Sequence, residues 1–217
     1  MDLYYLSFIA QRAAYAIENI ALYENIYENL FSTLYAFVAA LEAKDSYTEQ
    51  HSNRVAELSI MIGREFGCST EELEILNFAG RLHDIGKIGI RDDILLKQGK
   101  LTDEEFAEIK KHPVIGANIV SQLGLWNRER KIIKHHHERF DGQGYPDGLL
   151  SDDIPLLARI LSVADSYDAM ASDRAYRKKM DSKKIISIIK DCSGTQFDPE
   201  IVDVFLKIFE SGKIQDV

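Results

Sequence analysis

Arg81-Leu82-His83-Asp84-Ile85-Gly86-Lys87 is the stretch that decides how this chain is read. An imidazole and a carboxylate stand side by side at the end of an apolar helical pattern, and a lysine follows three residues on. Neighbouring side chains on a helix diverge by roughly 100°. His83 and Asp84 can therefore share one ion only where the helix ends and the chain turns, and Gly86 is placed to supply the turn. Taken alone, the pair has two readings: a capped helix end with a surface lysine, or two metal ligands beside a phosphate-binding cation.

The flanking segments add candidates. Upstream, Ser69-x-x-Glu72 forms a capping-box pattern, and the helix it opens carries its apolar face through Leu73, Leu76 and Gly80 to His83-Asp84. The preceding helix, opening near Thr48, puts His51 on one face with Val55, Leu58, Ile62 and Phe66 and closes at Gly67. His51 is either a satisfied core histidine or a ligand; antiparallel packing of these two helices would bring it to His83-Asp84. Downstream, Thr102-x-x-Glu105 opens a helix that breaks at His112-Pro113, because the residue before proline avoids helical geometry. A helix from about Asn127, carrying Ile132 and Ile133, ends in His135-His136-His137-Glu138.

Three glycines and a proline within Asp141-Gly142-Gln143-Gly144-Tyr145-Pro146-Asp147-Gly148 mark a shaped turn where backbone can approach a ligand. Pro155 opens a helix with Leu157, Ile160, Leu161 and Ala164 on its apolar side. Asp165 adjoins that stripe and needs a partner, for which a metal would serve. Asp168, one turn on, reads as a helix-end or hydrogen-bonding residue. The basic run Arg174-Ala175-Tyr176-Arg177-Lys178-Lys179 is a solvated loop or a ligand contact. Ser182 is expected to cap a further helix, and Asp198-Pro199-Glu200 to start the last one.

Residues 1–44 read as one long helix without glycine or proline. Apolar residues recur at steps of three and four through Leu3, Leu6, Ala10, Ala13, Ile17, Ile20, Tyr27, Phe31, Leu34, Val38 and Leu41, with one gap at Glu24. A stripe of that length suits a partner helix, hence a homodimer, or a helix lying on its own domain. The expected organisation is therefore a signalling or dimerisation helix over 1–44 and one compact domain over 45–217. Only four prolines and few alternating β-branched runs make that domain all-α. A formal charge of −9 argues against DNA or anionic membranes as general partners. No apolar run approaches the roughly 18 residues of a spanning helix, and the opening Met-Asp-Leu-Tyr-Tyr lacks the flanks of a signal peptide. Cys68 and Cys192 form no CxxC pair, so structural thiols in the cytoplasm are expected.

In chain order, His51, His83-Asp84-Ile85-Gly86-Lys87, Leu101-Thr102-Asp103-Glu104-Glu105, His112, His136-His137-Glu138, Asp141-Gly142-Gln143-Gly144-Tyr145-Pro146, Asp165 and Gly194-Thr195-Gln196-Phe197-Asp198-Pro199 resemble the HD-GYP family of cyclic-di-nucleotide phosphodiesterases, a branch of the all-helical HD phosphohydrolases. The likeness runs from about Lys44 to Phe205. It implies an HD-domain helical bundle and a metal-dependent hydrolase that opens cyclic di-GMP to linear pGpG, in some members onward to GMP, through a metal-bridging hydroxide. Carried over by position, it implies that His51, His83, Asp84 and Asp165 hold one metal, while Asp84 bridges to a second completed by His112, His136 and His137. Such a centre would be net positive, since two divalent cations outweigh two carboxylates. Asp84 and Lys87 would be catalytic, with Lys87 on a phosphate oxygen. Gly144 and Tyr145 would border the pocket, and Arg174 and Arg177 would engage guanine or phosphate.

His135 falls outside the family pattern and is expected to be an exposed neighbour. Members with a third metal place a glutamate four residues before the first histidine; Tyr47 stands there, so two metals are expected, with Glu49 the nearby alternative. Arg91 stands where the family commonly has proline. Iron or manganese is the implied metal, with zinc and nickel also suited to a His/carboxylate set. The segment Ile9-Ala10-Gln11-Arg12-Ala13-Ala14-Tyr15-Ala16-Ile17-Glu18-Asn19 resembles the last helix of a GAF sensor, implying an upstream sensor that controls the enzyme in signal transduction.

Overall fold

A computed structural model describes residues 2–43, 50–122, 127–172 and 179–214. They form helices joined by short turns, with β-pairing limited to the isolated bridges Asp141 to Leu150 and Ser193 to Phe197. In chain order the helices are α1 (Asp2–Glu42), α2 (His51–Phe66), α3 (Thr70–Leu82), α4 (Asp92–Leu95), α5 (Asp103–Ile109), α6 (His112–Ser121), α7 (Asn127–His135), α8 (Leu156–Ala171), α9 (Ser182–Asp191) and α10 (Pro199–Glu210). A 3₁₀ turn, Ile85–Gly89, follows α3, and another, Ser151–Asp153, precedes α8. The all-α expectation holds. Among the described residues no helix is long and apolar enough to cross a membrane.

The chain divides into two compact units, Met1–Phe37 and Val38–Val217. In the first, α1 presents Leu3, Leu6, Ile17 and Ile20 of the expected stripe to the exterior, but also Tyr4, Tyr5, Phe8, Ile9, Tyr15, Leu22, Tyr23 and Ile26. Apolar side chains thus occupy more than one face of this helix, a wider surface than a single a/d seam.

In the second unit α2 is the central strut. It packs on α3, α8 and α10, and its Val55, Ala56, Leu58 and Ile62 join Leu76, Phe78, Ala79 and Leu82 of α3, Ile160, Leu161 and Val163 of α8, and Ile201 and Phe205 of α10 in one core. Local signals set the helix ends. Both capping boxes form, Ser69 with Glu72 and Thr102 with Glu105, and Gly67 closes α2 at φ 99°. Removing the Ser69 hydroxyl leaves an orphan amide at the start of α3. Ser69→Ala is expected to cost about 1 kcal/mol, read as a lower urea midpoint with unchanged slope. The cap of α9 differs from expectation by one position. Asp181 accepts the Lys183 amide at 2.8 Å and is the N-cap, leaving Ser182 as the first helical residue.

Candidate metal centre

Four helix ends and the middle of α8 converge on one point. His51 is the first residue of α2, His83 follows the last residue of α3, His112 opens α6, His136 and His137 lie in the turn after α7, and Asp165 projects from α8. α2 and α3 pack together, and the His51 and His83 rings lie 5.4 Å apart between centroids. The chain continues through His83–His136 at 5.2 Å, His112–His136 at 5.5 Å and His112–His137 at 5.0 Å.

Two groups of ligand atoms emerge. His51, His83 and Asp84 offer atoms all within 4.8 Å of one another, and so do His112, His136 and His137. Asp84 lies between them: Oδ1 is 3.3 Å from His112 Nε2, and Oδ2 is 3.5 Å from His83 Nε2. Asp165 Oδ1 closes the first group at 3.3 Å from His51 Nε2 and 3.9 Å from His83 Nε2. The structure therefore brings together all seven residues singled out as ligands.

Three of the histidines, His83, His112 and His136, are prepared as electron-pair donors. His83, His112 and His136 each have Nδ1 2.7 Å from a carbonyl three residues earlier, on Gly80, Ile109 and Ile133 respectively. A carbonyl only accepts, so each Nδ1 carries the proton and each neutral ring keeps its Nε2 lone pair. All three Nε2 atoms are buried without a hydrogen-bond partner. Buried polar atoms are ordinarily paired, and three orphaned imidazole nitrogens beside two carboxylates fit divalent metal ions. The same carbonyls belong to the last turns of α3, α5 and α7, so the imidazoles also satisfy backbone acceptors that a helix end leaves open.

Electrostatics divides the centre. Burial lowers the pKa of His112 and His136 and brings His137 down to about 4, holding them neutral. At His51 burial also opposes the charge, but hydrogen bonds to Asp165 and Asp168 outweigh it and raise the pKa to about 9. Burial works against ionisation of Asp84 and Asp165 as well. Lys87 and the histidines around Asp84, and His51 and His83 beside Asp165, nevertheless keep both carboxyls well below the usual range. Lys87 Nζ lies 2.5 Å from Asp84 Oδ2 and remains about one-third exposed, so its charge sits at the rim.

Gly86 acts differently from the expected turn-former. Its φ is not positive, and it lies within the 3₁₀ turn. A Cβ there would stand 1.9 Å from the His112 carbonyl oxygen and 2.5 Å from the Gly116 amide nitrogen. The missing side chain lets the segment after Asp84 lie directly on the first turn of α6, which brings His112 to Asp84.

Tyr145 stacks on His137 at 4.9 Å and 34°, with Lys110 Nζ 5.5 Å from its ring centre. Gly144 packs against backbone: a Cβ would meet Arg139 N at 2.3 Å and Glu138 Cα at 2.5 Å. Glu138 holds this loop. Its carboxylate is nearly fully buried and accepts the Asp147 amide at 2.8 Å and the Leu149 amide at 3.1 Å. Glu138→Ala would strand both donors, and a loss of roughly 2 kcal/mol or more is expected in urea denaturation. The base of the loop is tied to the turn at 195–196, where Phe140 and Asp141 amides donate to Gln196 and Thr195 carbonyls.

His135 corrects its expectation. It is buried, with Nδ1 3.5 Å from Glu138 Oε1 and Nε2 3.8 Å from Asp147 Oδ2, because the glycine loop folds back over the end of α7. Asp168 is the hydrogen-bonding residue that its sequence context suggests, with partners that the sequence did not name. Buried one turn beyond Asp165, it takes His51 Nδ1 at 2.6 Å and Arg54 Nε at 2.6 Å, orienting the ring so that Nε2 faces Asp165. The available signal was its i,i+3 spacing from Asp165, which puts both on one helix face. Asp168→Ala is expected to weaken metal binding about 10–100-fold in competition with a chelator. Arg91 is exposed and paired with Asp93 at 2.8 Å. Tyr47, Glu49, Arg174 and Arg177 lie outside the described residues.

A family model described as HD domain matches residues 36–201. The chain is 44% identical over 169 residues to a cyclic di-GMP phosphodiesterase of Thermotoga maritima, covering 77% of this chain and 46% of that protein. It is 41% identical over 172 residues to the cyclic di-GMP phosphodiesterase response regulator RpfG of Xanthomonas campestris pv. campestris, covering 77% and 45%. The crystal structure of a cyclic GMP-AMP-specific phosphodiesterase of V. cholerae superposes with a TM-score of 0.67 at 20% identity, over 85% of this chain and 49% of that one, a likeness of fold. The chain thus spans about half the length of the curated relatives it matches.

Proposed function

The chain belongs to the HD domain family, and from that premise we propose that it is a metal-dependent phosphodiesterase that hydrolyses cyclic di-GMP to linear pGpG. The observation that carries this reading is Asp84, whose two oxygens face two separate groups of candidate ligands in which His83, His112 and His136 keep unpartnered Nε2 atoms. His51, His83, Asp84 and Asp165 would hold one ion, and Asp84, His112, His136 and His137 the other. When bound, two divalent cations supply Lewis acidity and activate water for attack on phosphorus. Iron or manganese suits the mixed nitrogen and carboxylate set.

The chain's own residues do the rest. Lys87, at the rim beside Asp84, binds a non-bridging phosphate oxygen as a point charge. Tyr145, braced on His137 and held through Gly144 and Glu138, forms a wall against the dinucleotide. Arg174 and Arg177 read guanine or phosphate with planar donor forks. The helix α1, apolar on more than one face, is the surface for a second copy of the chain and for an upstream sensor. A reducing cytoplasm suits the two free thiols, Cys68 and Cys192.

The test is anaerobic reconstitution with iron and, separately, manganese, followed by chromatography of cyclic di-GMP and its products. Accumulation of pGpG is expected. Intact cyclic di-GMP with both metals overturns the enzymatic reading, and tight binding without turnover selects a receptor instead. Faster turnover of another cyclic dinucleotide would reassign the substrate.

A further inference from the structure

The N-terminus of α2 is unusual for a helix that begins with a candidate ligand. Its cap residue, Gln50, is left-handed at φ 64° and makes no side-chain capping bond, and the first turn carries no acidic residue. Four amide donors open every α-helix, and an uncapped end frays. Here the missing acceptor comes from another element: the Glu42 carboxylate, on the last residue of α1, accepts the Ser52 amide through Oε1 at 2.9 Å. Ser52 directly follows His51. A negative charge at this position also favours the positive end of the helix dipole.

The same residues face the metal centre. One cavity is lined by Leu41, Glu42, His51, Ser52, Asp84 and Lys87, so the end of α1 forms a wall of the space beside the candidate ligands. The Ser52 hydroxyl, buried in that wall, has no hydrogen-bond partner. His51 is thus held from two sides, Asp168 gripping its ring and Glu42 its backbone neighbour.

We propose that Glu42 is a positioning residue for the metal centre, fixing the first turn of α2 so that His51 presents Nε2 to the site. The inference rests on the reading of His51 as a metal ligand. Displacement of the last turn of α1 would then loosen one metal before it disturbs the fold. Three variants test this in the full chain: Glu42→Ala, Glu42→Asp and Glu42→Gln, the last keeping an acceptor oxygen at the same reach. Affinity for Mn²⁺ is measured by chelator competition alongside the urea midpoint, and kcat and KM alongside both.

Glu42→Ala is expected to weaken one of two Mn²⁺ sites about 10-fold, as loss of an outer orienting partner does. Its kcat should fall by a similar factor at unchanged KM, and Glu42→Gln should recover most of the affinity where the shorter Glu42→Asp does not. Undiminished Mn²⁺ affinity in folded Glu42→Ala overturns the proposal, even with a lower urea midpoint, since Glu42 would then serve the fold alone. Wild-type protein that binds no Mn²⁺ overturns it too. Wild-type protein that binds two Mn²⁺ without hydrolysing cyclic di-GMP sinks the enzymatic reading but leaves the affinity comparison decisive for Glu42.

Discussion

Asp84→Ala is expected to abolish phosphodiesterase activity, with kcat falling on the order of 10³-fold or more, and to leave the protein with fewer than two bound metals. The reason is geometric. Asp84 Oδ1 faces His112 and Oδ2 faces His83, so one side chain serves both ligand groups, and no other carboxylate among the described residues has that position. Its loss also frees Lys87, whose ammonium is held 2.5 Å from Oδ2, to leave its place at the rim. Asp84→Asn separates shape from charge: it preserves the volume and one acceptor oxygen but removes the negative charge between two cations. Both variants should fold, because Asp84 lies at the edge of the cavity and the apolar core does not involve it. Elemental analysis is the direct check, and two metals retained by Asp84→Ala would contradict the bridging role proposed for it.

Gly86→Ala is expected to be the most damaging single methyl group in the molecule's centre. The added Cβ would lie 1.9 Å from the His112 carbonyl oxygen, 2.5 Å from the Gly116 nitrogen and 2.9 Å from the His112 carbonyl carbon. All three are backbone atoms, so no side-chain rotation relieves the overlap, and the 3₁₀ turn and α6 must separate. Overpacking of this kind costs about 3 kcal/mol, and the separation carries His112 away from Asp84. Folding and metal content should therefore fail together, with a lower urea midpoint and loss of the metal proposed to be held by His112, His136 and His137. An unchanged midpoint with two metals bound would show that the approach of these segments is not rigid.

Much of the candidate centre is legible in the linear sequence because all but one of its candidate ligands, Asp165 in α8, sit where helices begin and end, and those ends carry local signals. Ser69 and Thr102 announce their helices through a side chain three residues from its partner, and His112 is marked by the proline after it. Other features have no local signature. Asp168 reads as a hydrogen-bonding residue, but its partner is unnamed until α2 packs on α8 and sets His51 against it. His135 looks as polar as its neighbours, and its burial depends on a loop that returns from residues 141–149. Glu42 and Ser52 are ten residues apart on different helices, and nothing in their spacing foretells their bond.

Periodicity and caps specify an all-helical chain, since these depend on interactions within a turn or two of each residue, while the set of seven candidate ligands is what the resemblance of the motifs, in their order, implies. Packing decides the rest. Which histidine nitrogen keeps its lone pair follows from the carbonyl left open at the end of α3, α5 or α7, and which oxygen of Asp84 faces which group follows from how closely Gly86 lets the chain approach α6. Those are distances between segments far apart in sequence, and they exist only once the core of α2, α3 and α8 has closed. Gly86 joins the two levels: a residue that reads as a local turn serves, in the folded molecule, as the space in which Asp84 and His112 meet.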